Sequence, residues 1–210
     1  MAGPNAATLA AVQDIARTAD ASLYLYGPTG SGKSHLLNAA CLAAREAGLT
    51  AFYLGLRRLP ADASRSLQGL EGVELVCLDD VQAIAGNAAW EEALFHFINR
   101  HRAHRGSLLV ASRDRLSALP LGLPDLASRL AWGLRMELQA LDDADKAEVM
   151  RRHAESLGVE LPGEVSDYLL RRGQRGLAQL LGAVERLQQA AFTDKRRITV
   201  PLAREVLRLE

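Results

Sequence analysis

Eight consecutive residues, Gly27-Pro28-Thr29-Gly30-Ser31-Gly32-Lys33-Ser34, combine backbone freedom, a cation and a hydroxyl in the pattern G-x-x-x-x-G-K-[ST]. Each part has a task in polyphosphate chemistry. The glycines let the main chain curl so that its N–H groups point inward at phosphate oxygens. Lys33 offers a mobile ammonium to the β- and γ-phosphates, and the Ser34 hydroxyl is a ligand for Mg²⁺. The loop lies between a predicted strand and a predicted helix, so the positive end of that helix adds to the attraction for an anion.

A second group follows downstream. Leu75-Val76-Cys77-Leu78 is an apolar strand that ends in Asp79-Asp80. Acidic groups at the carboxyl end of such a strand sit where open α/β sheets bind ligands. Taken alone, Asp-Asp after an apolar run is an ordinary strand end. Paired with the loop at 27–34, Asp79 is the candidate that holds Mg²⁺ through water. Asp80 is the candidate that orients or deprotonates an attacking water.

The elements that must carry these groups alternate. Asn5 reads as the cap of a helix from Ala6 to about Ala19. Strands are predicted at 23–26, 51–56, 73–78, 107–111 and 134–138, with helices at 34–47, 88–103 and 125–132 between them and an irregular stretch at 57–72. This alternation predicts an α/β fold with a five-stranded parallel sheet covered on both faces. After Leu141 only helices are expected, opening at Asp142 with Asp145 behind it, then at 162–172, 175–193 and 201–209. The expected domains are therefore 1–141, nucleotide-binding, and 142–210, a small helical lid.

Composition narrows the class. The chain has 210 residues, 49% hydrophobic and 24% charged, and its 25 basic side chains balance 25 acidic ones. Zero net charge removes any global electrostatic footprint for nucleic acid. Pairs such as Arg151-Arg152 read as solvated helix faces. Cys41 and Cys77 lack metal or redox spacing and read as buried free thiols. With no membrane-length apolar run and no signal-peptide pattern, the expectation is a cytoplasmic protein.

With both motifs in place, the sequence resembles the AAA+ ATPases, and among them the DnaA/Hda family, over nearly the whole chain. Gly32-Lys33-Ser34-His35-Leu36-Leu37 resembles the continuation of that family's phosphate loop, which adds His35 to the nucleotide-binding residues. Leu78-Asp79-Asp80-Val81-Gln82-Ala83-Ile84-Ala85-Gly86 looks like its acidic-strand motif. The segment Gly122-Leu123-Pro124-Asp125-Leu126-Ala127-Ser128-Arg129-Leu130-Ala131-Trp132-Gly133 is similar to the Hda branch. The resemblance implies ADP or ATP with Mg²⁺ as ligand. It also implies that Arg129 is an arginine finger, presented to nucleotide on a neighbouring subunit of a homo-oligomer or of DnaA. Read from the residues alone, Arg129 instead caps its short helix or pairs with Asp125.

Three departures from the family pattern qualify these expectations. Arg113, flanked by Ser112 and Asp114, stands where a sensor at the end of the fourth strand is often acidic or polar. The lid's sensor arginine falls at Ala178, with Arg175 one helical turn earlier as a possible substitute. Weak intrinsic hydrolysis and stable ADP binding are the expected consequences. At the ends, Met1-Ala2-Gly3-Pro4-Asn5 lacks the peptide through which Hda-type proteins bind the sliding clamp, and no helix-turn-helix domain follows, so sequence-specific binding to duplex DNA is not expected.

The remaining signals read as packing or surface. His96, His101 and His104 are expected at the surface or boundary, without a metal site. Trp90 and Trp132 are expected to pack, and Phe95, Phe97 and Ile98 to enter the core. The functional expectation is an Hda-like regulator of replication initiation that promotes hydrolysis of DnaA-bound ATP. The alternatives are a self-contained AAA+ ATPase, such as a remodeller or helicase loader, a non-hydrolysing adaptor, and the nucleotide-binding core of a DnaA protein itself.

Overall fold

A computed structural model of the chain describes residues 4–173 and 176–208. Contacts group residues 1–28 and 33–139 into an α/β unit, and residues 140–210 with 29–32 into a second, helical one.

The α/β unit runs α1 (Ala6–Ile15), β1 (Ser22–Tyr26), α2 (Lys33–Glu46), β2 (Ala51–Gly55), β3 (Leu75–Asp79), α3 (Ala88–Ala103), β4 (Ser107–Ser112), α4 (Pro124–Leu130) and β5 (Leu134–Glu137). All strand pairs are parallel and the order is β2-β3-β4-β1-β5. Every residue of β3 and β4 is buried, which explains why both read as unbroken apolar runs rather than alternating ones. On one face Tyr24, Val76, Leu78 and Val110 pack with Trp90, Leu94 and Phe97 of α3 and Leu126 of α4. On the other, Leu23, Leu25, Cys77 and Leu109 pack with Val12 and Ile15 of α1 and Leu37, Ala40 and Cys41 of α2. The two cysteines are free, buried and hydrogen-bonded to each other, which draws the Cys41 thiol below its ordinary range, while the same bond and burial push Cys77 up.

Two expectations are corrected by long-range contacts. Asn5 does not cap α1. Its amide faces the chain leaving β5: Nδ2 donates to Gln139 O at 3.0 Å and Gln139 N donates to Oδ1 at 2.8 Å. The cap was therefore lost to a partner that satisfies both ends of the same side chain, and α1 stops at Ile15 rather than near Ala19. His101 is not a surface residue. It is 1% exposed, stacked on Phe97 with ring centroids 5.1 Å apart, and it fills the space left by the missing side chain of Gly106. His96 and His104 are exposed, as expected. The irregular stretch holds two 3-10 turns, Leu56–Arg58 and Ala63–Leu67.

The helical unit consists of α5 (Asp143–Ser156), α6 (Gly163–Arg172), α7 (Leu177–Asp194) and α8 (Val200–Leu207). Asp142 caps α5 by accepting from Asp145 N at 2.7 Å. Met150, Val165, Leu169, Leu180, Val184, Leu187 and Leu202 form its own core. Arg151 and Arg152 pair with Glu148 on the solvent side of α5 and hold its carboxyl down at about 2. Among the described residues no helix is long and apolar enough to cross a membrane.

Candidate nucleotide site and the arginine at the opposite end of the sheet

The phosphate loop leaves the carboxyl end of β1 and turns directly into α2. Its shape depends on glycine. Gly30 and Gly32 sit at φ +82° and +102°, and a Cβ on Gly27 would strike the carbonyl of Leu138. The Lys33 ammonium is buried and donates to the carbonyls of Gly27 at 2.7 Å and Pro28 at 2.8 Å, which fixes its charge over the loop. Burial lowers its affinity for the proton, and Asp79, Asp80 and Asp114 act against that fall. Ser34 and His35 lie exposed in the first turn of α2.

Asp79 ends β3 and is 3% exposed. Its Oδ1 accepts from Asp80 N at 2.9 Å, and its Oδ2 accepts from the Tyr53 hydroxyl at 2.8 Å. Tyr53 also bonds the Ser34 side chain, so one phenol joins the two proposed magnesium ligands. Burial, reinforced by the hydrogen bond that Tyr53 donates to Asp79 and by the charge of that carboxylate, raises the Tyr53 hydroxyl far above its ordinary range. Asp80 adopts the left-handed conformation, φ 58° and ψ 44°, which turns its carboxylate out of the sheet. There it meets Arg57 at 3.1 Å and Gln82 Nε2 at 2.6 Å. Gln82 Oε1 in turn accepts from Ser112 Oγ and Arg113 N, both at 3.1 Å. The Arg113 guanidinium is exposed and pairs with Asp114 at 3.1 Å.

This donor set suits a nucleotide with a hard cation. A curled glycine loop, a buried ammonium, a hydroxyl and a carboxylate gather at one strand end, and oxygen donors are what Mg²⁺ takes. Among the described residues no three His, Cys, Asp or Glu side chains are placed to hold a metal by themselves. An ion here would draw its remaining ligands from phosphate and water.

Tyr53, Arg57 and Gln82 escaped the sequence reading. Tyr53 carried a faint signal. In a parallel register Gly55 pairs with Asp79, and Tyr53, one side-chain repeat earlier, lies on the same face as Gly55. Arg57 carried none, because it stands in no motif, and Gln82, though inside the 78–86 motif, had no role that its neighbours in sequence announce.

Arg129 lies elsewhere. It lines a cavity of about 200 Å³ with Asp20, Ser22, Gly106, Leu108, Trp132 and Gly133. Ser22 is the first residue of β1 and Leu108 the second of β4, so this is the amino end of the sheet, roughly 17 Å of strand away from the loop. The guanidinium carbon stands 5.7 Å from the Phe95 ring centre and 5.2 Å from that of Trp132, and Nε is buried without a hydrogen-bond partner. Pairing with Asp125 is not seen. Trp90 is buried, but Trp132 is 40% exposed with Arg102 stacked on it, so only the first is a packing tryptophan. Ala178 is exposed in the first turn of α7, and Arg175 lies outside the described residues.

The profile of the bacterial DnaA ATPase domain matches residues 1–137, and that of the Hda lid domain matches residues 143–207. The chain belongs to the bacterial DnaA ATPase domain family. Solved structures agree in fold. Domain III of the replication initiation protein DnaA from Thermotoga maritima superposes with a TM-score of 0.77 at 24% identity, covering 98% of this chain and 92% of that one. AMPPCP-bound DnaA from Aquifex aeolicus gives 0.70 at 24% identity, over 92% of this chain and 64% of that one. The Holliday junction branch migration motor RuvB of Thermotoga maritima gives 0.61 at 20% identity, over 95% and 65%. This member of the DnaA family thus combines an AAA+ α/β unit with a helical lid of Hda type.

Proposed function

We propose that this chain is an Hda-like regulator of replication initiation. It binds ADP or ATP with Mg²⁺ at residues 27–35 and promotes hydrolysis of ATP on DnaA through Arg129. The observation that carries the reading is the separation of Arg129 from Lys33 and Asp79 by the length of the sheet. Such an arginine cannot serve the nucleotide of its own chain, yet it is only partly buried and has an exposed tryptophan beside it. A cation offered to phosphate on another subunit neutralises charge that develops in phosphoryl transfer, an effect worth roughly 10³ to 10⁵ in rate.

At its own site Lys33 and the loop amides bind and orient the phosphates. Ser34, and Asp79 through water, would hold Mg²⁺, which would neutralise phosphate charge. Asp80 is the group able to orient water, but it is held by Arg57 and Gln82, which supports slow turnover by the isolated chain. Slow turnover separates this reading from a self-contained ATPase. The AMPPCP carried by the DnaA of Aquifex aeolicus supports an adenine nucleotide as the ligand. The Hda-type lid supports DnaA as the partner.

The test is ATP hydrolysis by DnaA in the presence of this chain, clamp and DNA. Stimulation that disappears in Arg129→Ala, with ADP affinity retained, is expected. No stimulation, or stimulation that survives the substitution, overturns the reading and favours a non-hydrolysing adaptor. Brisk turnover by the chain alone, lost in Asp80→Asn, favours the self-contained ATPase.

A further inference from the structure

One buried carboxylate has no part in the site described so far. Glu91, in the first turn of α3, is 1% exposed and makes no ion pair among the described residues. Its partners are main-chain N–H groups from two loops. Oε1 accepts from Gly86 at 2.7 Å and Gly122 at 3.2 Å, and Oε2 accepts from Leu123 at 2.7 Å. Gly86 belongs to the turn that follows Asp79-Asp80 and the 3-10 segment Val81–Ala83. Gly122 and Leu123 lead into Pro124, the first residue of the helix that carries Arg129. One turn further along α3, Phe95 presents its ring to the Arg129 guanidinium. A single helix therefore holds both ends of the arginine's support: Glu91 sets where α4 begins, and Phe95 sets where the guanidinium rests.

We infer that Glu91 is a positioning residue for Arg129, tying the start of the finger helix to the turn behind Asp80. The inference rests on the trans-acting role proposed for Arg129. A carboxylate is required because all three of its partners are donors. An amide in its place keeps one acceptor and turns an NH₂ group toward N–H groups, which leaves buried donors unmet. The 122–123 segment must then shift, and the shift is passed along a short helix to a guanidinium that has to meet phosphate.

Glu91→Gln, Arg129→Ala and the double variant test this on the whole chain. Because displacement of a catalytic group by about 1 Å costs roughly 10²-fold, maximal stimulation of DnaA hydrolysis is expected to fall at least ~10-fold in Glu91→Gln. The half-saturating concentration of the chain and its affinity for Mg-ADP should stay within about twofold, since neither docking nor the phosphate loop is touched. The double variant should match Arg129→Ala, because the two residues act as one unit. Parent-like stimulation in Glu91→Gln, or a double variant well below Arg129→Ala, overturns the inference.

A second readout does not depend on hydrolysis. Trp132 follows α4 and is exposed, while Trp90 is buried, so acrylamide quenching of fluorescence reports chiefly on the end of the finger helix. Quenching in Glu91→Gln should differ clearly from the parent at unchanged far-ultraviolet circular dichroism, and unchanged quenching overturns the inference. If Arg129→Ala leaves hydrolysis intact, the functional reading fails, and quenching alone then decides the role of Glu91. Should Glu91→Gln not fold, Glu91→Asp, one methylene shorter, is read by the same outcomes.

Discussion

The two ends of the sheet handle charge in opposite ways. At the carboxyl end Lys33, Asp79, Asp80, Tyr53, Gln82 and Arg57 are bonded to one another or to the loop, so every charge already has an internal partner. At the amino end Arg129 rests between two aromatic rings with its Nε unmatched. A bonded network is suited to receive a ligand in a fixed geometry, because its groups are oriented before binding. A cation cradled by aromatic faces gains little locally and keeps its hydrogen-bonding capacity for a partner. On the proposed function, the difference makes one end the receiving half and the other the donating half of a phosphoryl-transfer site.

That separation is broken most directly at the receiving end. Lys33→Ala removes charge-assisted bonds to phosphate and should weaken Mg-ADP binding by about 100-fold in calorimetry, with the fold intact. Retained affinity would mean that the loop does not hold the phosphates. Asp79→Asn should blunt the metal dependence instead. Removal of Mg²⁺ should weaken ADP binding in the parent and scarcely change it in the variant, since partners one shell out from a metal affect its affinity by roughly 10- to 100-fold. An undiminished Mg²⁺ effect would take Asp79 out of the metal's surroundings.

Smaller effects sharpen the contrast through residues outside the phosphate loop. Gly106→Ala at the amino end would press a methyl group into the His101 ring. It should cost about 1–3 kcal/mol in denaturant unfolding while leaving Mg-ADP affinity unchanged. Asn5→Ala removes a two-way bridge to Gln139 and should cost about 1–2 kcal/mol, read as a lower melting temperature. A loss of ADP affinity in Gly106→Ala would show that the two ends are not independent.

The phosphate loop, the acidic strand end and most elements were legible because each is written in adjacent residues. Apolar runs at 75–78 and 107–111 announce buried strands, and α3 was expected at its observed limits of Ala88 and Ala103. The failures share one physical cause, a partner that no local pattern announces. Asn5 looked like a cap until Gln139, 134 positions away, took both ends of its amide. His101 looked like a boundary residue because nothing local shows that Glu71 and Ser107 offer their carbonyls and Gly106 leaves room for the ring. Tyr53 and Glu91 carry no signal of their own as a strand residue and a helix charge, since Asp79 lies 26 positions from the first and Gly122 and Leu123 lie 31 and 32 from the second. Within the site the motifs named the groups proposed to meet phosphate, and the residues that hold those groups in place appeared only with the fold.

The most direct test follows single-turnover hydrolysis of radiolabelled ATP preloaded on DnaA, mixed with this chain carrying unlabelled ADP, so that labelled product arises only on the partner. Acceleration of the labelled turnover by the parent chain, and a return to the unstimulated rate with Arg129→Ala at equal ADP occupancy, are the predicted results. Equal acceleration by both chains, or by neither, would contradict the claim that Arg129 is donated to a nucleotide on another subunit.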